Sequence, residues 1–154
     1  MSKIQVTNIN DLSDNASLIT QNGGIKSDKL TGVTTAGSIL VTGEGNSTTT
    51  NLQQGLAKAW VKFTQVSTHT AADSFNLTSL TDNGTGNSTV TIANDLANAN
   101  GPISVTSDNG SNFNNGAMGH MTAAGTASVR CSATTSAAGS DKAYTQVIIC
   151  GDLA

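Results

Sequence analysis

The run Gly55-Leu-Ala-Lys-Ala-Trp-Val-Lys-Phe63 constrains the fold more than any other stretch of this chain. Extended backbone sends successive side chains to opposite faces, so Ala59, Val61 and Phe63 point one way and Lys58, Trp60 and Lys62 the other. That is a strand with one buried face. The pattern returns in Phe75-Asn-Leu77 and again in Ser88-Thr-Val-Thr-Ile92. Between these two lies Asp82-Asn-Gly-Thr-Gly-Asn87, whose Asn-Gly pair supplies the positive φ of a tight hairpin turn. Further strands are expected at Ile103-Ser-Val-Thr106, which follows the lone proline, Pro102, and at Ala127-Ser-Val-Arg-Cys-Ser132. A last strand, Ala143-Tyr-Thr-Gln-Val-Ile-Ile-Cys150, carries the strongest β signal. Short antiparallel strands at this spacing predict an all-β fold, an antiparallel sandwich or jelly-roll-like knob over residues 56–154.

Residues 1–55 have a different texture. Apolar residues come in ones to threes, as at Leu18-Ile19 and Ile39-Leu40-Val41, separated by turns such as Asn22-Gly23-Gly24 and Gly43-Glu44-Gly45-Asn46. The segment reads as an extended N-terminal arm with short strands that gains order by docking on a neighbour. Asn51-Leu-Gln-Gln54 has capping-box spacing and Leu52, Leu56, Ala59 and Trp60 fall at helical spacing, but Gly55 opposes a helix, and an extended neck is expected.

Composition decides between a disordered and a folded chain. Leu, Ile, Val and Phe make up only about a fifth of the residues, a level that signals disorder when net charge is high. Here charged residues are 11% and the net charge is −3. Self-repulsion is therefore weak, and a Thr-, Ser-, Asn- and Gly-rich β-protein fits better. So thin a core implies that subunits complete one another's interior. One arginine, six scattered lysines and a pI near 5.0 give no basic stripe for phosphate contacts, so nucleic acid is not an expected partner. No apolar run approaches the roughly 20 residues that span a bilayer, and residues 1–6 lack the apolar core of a signal peptide.

The order of several pieces carries a resemblance. Leu56-Ala-Lys-Ala-Trp-Val-Lys-Phe63, Asp73-Ser-Phe-Asn-Leu77, the run from Leu80 through Asp-Asn-Gly-Thr-Gly to Ile92, Ala97-Asn-Ala-Asn100 and Val147-Ile-Ile-Cys-Gly-Asp-Leu153 together resemble the terminal knob of tail-fibre and related virion proteins in phages of marine bacteria. The resemblance covers the C-terminal two-thirds. It implies a homotrimer, a place on the virion surface after synthesis in the host cytoplasm, and an arm that binds capsid or tail proteins. An arm of about 55 residues reaches under roughly 200 Å even when fully extended. That favours a short projection, a head fibre or capsid decoration, over a reaching tail fibre. The alternatives are a tail-fibre receptor-binding protein that contacts a host surface glycan or protein, and a small carbohydrate-binding module.

Nothing in the residue pattern points to catalysis, a cofactor or a metal. His69 and His120 lack His-x-x-x-His or Cys-x-x-Cys company, and Asp73, Asp82, Asp95 and Asp108 are read as turn carboxylates accepting local amide protons. The carboxylates of a glycan hydrolase can come from distant strands, but no spacing here favours such a pair. Cys131 and Cys150 are expected as buried thiols, with a disulfide as the alternative. The candidate interaction residues are Lys58, Trp60 and Lys62 on one strand face, together with two loops. One loop spans 64–73 and carries His69; the other spans 107–119 and carries Asn112, Phe113, Asn114 and Met118. Trp60 between two amines can stack on a sugar or receive a cation, or it can pack across a subunit boundary under the lysine stems.

Overall fold

The computed structural model describes residues 39–42, 48–110, 115–133 and 138–154. All of them belong to the second of the chain's two compact units, Gly32–Ala154. The candidates Asn112, Phe113 and Asn114, and most of the expected arm, lie outside the described residues.

Among the described residues, the first elements are a small antiparallel hairpin of β1 (Leu40–Thr42) and β2 (Thr49–Asn51), followed by one helical turn, α1 (Leu52–Gly55). The turn corrects the extended neck expected from Gly55. Asn51 Oδ1 accepts the Gln54 amide at 3.1 Å and so caps the turn, while Gly55 ends it. Gln54 Nε2 also donates to Asp152 Oδ2 at 3.3 Å, which ties this segment to the far end of the sequence.

Eight strands follow: β3 (Ala57–Thr64), β4 (Thr70–Phe75), β5 (Leu77–Asp82), β6 (Asn87–Ile92), β7 (Ile103–Asp108), β8 (Asn115–Ala123), β9 (Thr126–Ala133) and β10 (Tyr144–Cys150). They form two antiparallel four-stranded sheets, β4-β3-β10-β7 and β5-β6-β9-β8, packed as a sandwich. The all-β antiparallel fold expected from the alternation is the fold observed. Alternation is cleanest on the four central strands. Val61 and Phe63 of β3, Thr145, Val147 and Ile149 of β10, Ser88, Val90 and Ile92 of β6, and Ala127, Val129 and Cys131 of β9 are all buried.

At several core positions of each sheet a large side chain lies opposite a small one. Phe63 pairs with Thr145 and Ile149 with Ala59 in one sheet; Val129 pairs with Ser88 and Val90 with Ala127 in the other. Interiors close-pack, so a core of such modest side chains closes only when bulk and gap alternate in this way. Past Phe63 a polar cluster closes the sandwich. Buried Gln65 donates from Nε2 to Ser88 Oγ at 2.8 Å, accepts the Lys142 amide on Oε1 at 3.2 Å, and donates its own amide to the Lys142 carbonyl at 2.9 Å.

Two connections differ from the expectation of the sequence. Phe75-Asn76-Leu77 is a corner where the chain leaves one sheet for the other, and Asn76 makes it with φ 58°. Its amide nitrogen donates to the Lys58 carbonyl at 2.9 Å, and its Oδ1 accepts the Asn94 amide at 2.7 Å. Asn tolerates the left-handed region because its short polar side chain bonds locally. The second case is the stretch read as a long loop, of which 115–119 begins β8. Glycines hide the strand signal there. Gly119 is required because a Cβ would come within 2.7 Å of Val105 Cγ2, where β8 lies against β7. The hairpin at 82–87 forms as expected, with positive φ at Gly84 and Gly86 and the Gly84 amide held by Asp82 Oδ1 at 2.8 Å.

The alternation yields a stability contrast. Phe63→Ala, which empties the largest core position, is expected to lower unfolding free energy by about 3–5 kcal/mol. Ile148→Ala, one residue from core Val147 but on the opposite face, is expected to cost under about 1 kcal/mol. Urea unfolding followed by the fluorescence of the single tryptophan measures both.

Candidate functional site

The outer face of the β4-β3-β10-β7 sheet is unlike the outer face of its partner. On β6 and β9 the outward positions are Asn87, Thr89, Thr91, Ser128, Arg130 and Ser132, all polar. On the first sheet, cross-strand register aligns Phe75 of β4, Trp60 of β3 and Ile148 of β10 in one row, continued by Ser104 of β7. Their side chains are 54%, 37% and 48% exposed. The adjacent row is polar and runs Asp73, Lys62, Gln146, Thr106. Between the rows lies a groove of about 310 Å³ whose walls include Ala57, Trp60, Lys62, Asp73, Gln146 and Ile148. At its far side the Lys62 ammonium sits 5.4 Å from the Tyr144 ring centroid, within cation–π range.

Trp60 and Lys62 therefore occupy the face expected of them, and Lys58 does not. Lys58 is 5% exposed, and its Nζ donates to the Leu56 carbonyl at 3.2 Å. The cause is a bulge. Ile149 pairs with Ala59 while Cys150 pairs with Ala57, so Lys58 is the extra residue of β3 and falls out of the alternation.

His69 also departs from its expected exposure. Its side chain is 2% exposed and meets Phe63 edge-on, with centroids 6.1 Å apart at 75°. Asp82 Oδ1 lies 3.9 Å from His69 Nε2, too far for a hydrogen bond, and neither ring nitrogen has a hydrogen-bond partner. A side chain inside the sandwich rim cannot serve as a recognition residue. Met118 is exposed, but on strand β8 rather than in a loop. It faces a separate groove of about 530 Å³ with Asn87, Arg130 and Ser132. The structure thus brings Trp60 and Lys62 together and separates them from His69 and Met118.

Asp73, Phe75, Tyr144, Gln146 and Ile148 belong to the face and were missed as site residues. For the last three the signal was present: Tyr144, Gln146 and Ile148 are the outward half of the strand whose inward half is Thr145, Val147 and Ile149. Asp73 was read as a turn carboxylate, yet it lies in β4 opposite Lys62, with Oδ1 accepting the Ser74 amide at 2.8 Å. Among the described residues, no group of three or more His, Cys, Asp or Glu side chains is placed to hold a metal ion.

Both cysteines are free thiols, Cys131 in the core on one sheet and Cys150 half-buried on the other. Burial pushes the Cys131 thiol above its ordinary value, which the Ser107 and Thr145 side-chain contacts only partly oppose. No family model, curated protein or solved structure matches this chain.

The thiolate is the reactive form of cysteine. At pH 8 a thiol reagent is expected to modify Cys150 alone in the native protein and to reach Cys131 only after denaturation, as a Cys131→Ser variant would verify. Immediate reaction of both thiols would contradict the burial of Cys131.

Proposed function

We propose that this chain is a non-enzymatic structural protein of a phage virion that forms a short homotrimeric fibre or decoration. Its N-terminal segment docks to capsid or tail proteins and its β-sandwich faces outward, as a head fibre or capsid decoration. The observation that carries this reading is the placement of bulk. Of the four described Trp, Tyr and Phe side chains, only Phe63 is in the core, while Trp60, Phe75 and Tyr144 lie on the surface. A chain with so few large side chains that spends three of them outside is adapted to contact something else. The resemblance to tail-fibre knobs supplies the virion setting.

A second reading, attachment to a host surface as a tail-fibre receptor-binding protein or carbohydrate-binding module, is favoured by the groove beside Trp60. In either setting the sandwich is the exposed part.

Sedimentation equilibrium of the full chain in dilute buffer is expected to return about three times the 15.5 kDa chain mass. Peptides of the chain are expected in purified particles, and deletion of residues 1–50 is expected to remove it from them. A monodisperse single-copy species that is absent from particles would overturn the proposal.

A further inference from the structure

The groove on the outer face of the β4-β3-β10-β7 sheet combines groups that proteins rarely leave side by side in water. Trp60 presents a ring on one side. Asp73, Lys62 and Gln146 stand on the adjacent row, and Ile148 and Phe75 extend the apolar strip along the sheet. From this arrangement we infer that the groove is a glycan-binding site that takes a neutral hexose oligosaccharide. The inference rests on the reading of the chain as a surface-exposed binding protein and names the ligand class of that surface.

Three features select this occupant. The first is the mixture of groups. A pyranose has an apolar C–H face that an aromatic ring can cover and a rim of hydroxyls that must be hydrogen-bonded when desolvated. Trp60 supplies the ring, the Asp73 carboxylate accepts, the Lys62 ammonium donates, and the Gln146 amide does both. The second is charge. Lys62 and Asp73 are cross-strand partners of opposite sign, so the groove has no net charge with which to select an anionic or cationic ligand. The third is area. Phe75, Trp60 and Ile148, at 54%, 37% and 48% exposure, offer on the order of 300 Å² of apolar surface. A stable subunit interface takes roughly 800 Å² from each partner. The apolar strip alone supplies well under half of that area, and the polar row beside it suits a ligand that must be hydrogen-bonded. The groove, at about 310 Å³, matches the smaller end of ligand sites, near 300 Å³.

Lys62 is held for this task. Its ammonium is drawn to the Tyr144 ring, 5.4 Å from the centroid, and so stays at the groove edge. The bulge that takes Lys58 into the protein leaves Ala57 at the end of the groove, where a long side chain on the Trp60 face would otherwise lie.

Trp60 is the single tryptophan, so intrinsic fluorescence reports on this site alone. The full chain is titrated with cellohexaose, laminarihexaose and a galactose oligomer, with polygalacturonate as the acidic comparison, and its mass is followed by sedimentation in the same samples. At least one neutral oligosaccharide is expected to give a saturable change in Trp60 emission, with no response to polygalacturonate. By calorimetry, Trp60→Ala is expected to abolish binding, and Asp73→Asn and Gln146→Ala to weaken it about tenfold each. Because Asp73 and Gln146 are surface positions, these two variants keep the test alive if Trp60→Ala does not fold. The inference is overturned if no neutral oligosaccharide gives a saturable change, if only the acidic polymer binds, or if Trp60→Ala alters the oligomeric mass, which would make the face a subunit interface. Failure to bind glycan leaves the trimer and the particle location standing. Absence from particles leaves the groove's ligand standing.

Discussion

The ladder between β3 and β10 is the constraint on which the rest of the molecule depends. It joins strands far apart in sequence and places them at the centre of their sheet, so that β4 can add to one side and β7 to the other. Closing so long a loop costs chain entropy before any contact rewards it. The ladder recovers that cost by pairing the largest core side chain, Phe63, with a threonine, and Ile149 with an alanine. A register slip of one residue would turn one strand over against the other, sending Val61 and Phe63 of β3, or Val147 and Ile149 of β10, into water while their polar neighbours turned inward. Both faces of the sheet are thus fixed by one choice of register, and the surface row is a by-product of core packing.

Small side chains set the second constraint. The opposing sheet brings Ser88, Val90, Ile92, Met121, Ala127, Val129 and Cys131 to the interface, and none of them is aromatic. Phe63 is the one Trp, Tyr or Phe side chain in the interior among the described residues. Its ends are sealed by hydrogen bonds instead, with Gln65 joining Ser88 to Lys142 at one rim and Asn76 joining Lys58 to Asn94 at another. Buried polar groups that find partners cost little net stability, whereas an orphaned one costs about 1–3 kcal/mol. Polar corners can then stand where a larger protein would place leucine. The tryptophan, the tyrosine and Phe75 are left for the surface.

Much of the sandwich was legible in the sequence because its central strands alternate, with the bulge at Lys58 in β3 as the exception. Residues 57–64, 87–92, 126–133 and 144–150 each show period-two patterning, and each is a strand. What was not legible has three physical causes. In β8 two glycines remove the side chains that would reveal the period, and the reason for Gly119 is the closeness of Val105 on another sheet. At Phe75-Asn-Leu the pattern continues through a corner, and only the positive φ of Asn76 separates two strands from one. His69 was read as a loop residue because its own neighbours are polar. Its burial comes from Phe63, which reaches it from the inner face of β3. The candidate site divides in the same way. Trp60 and Lys62 follow from local alternation, as does the outward direction of Gln146 and Ile148, whereas the register that sets Asp73, Gln146 and Ile148 beside them is cross-strand pairing that a single sequence does not record.

The bulge at Lys58 connects these points. Two residues of β3 meet one step of β10 at this place, and so a lysine that belongs on the outer face by counting is turned inward, where its ammonium bonds the Leu56 carbonyl. Burying a lysine stem is tolerable when the ammonium keeps a partner. The compensation is on the other side of the sheet, where Ala57 rather than a long flexible cation lies at the end of the groove beside Trp60. A regular strand would have put amines on both sides of that ring and covered it with their stems. The irregular one leaves a single lysine, paired across the strands with Asp73, beside a partly exposed indole. A departure from β regularity of this kind, at the rim of a sheet and next to the exposed aromatic, re-aims a side chain to shape a surface.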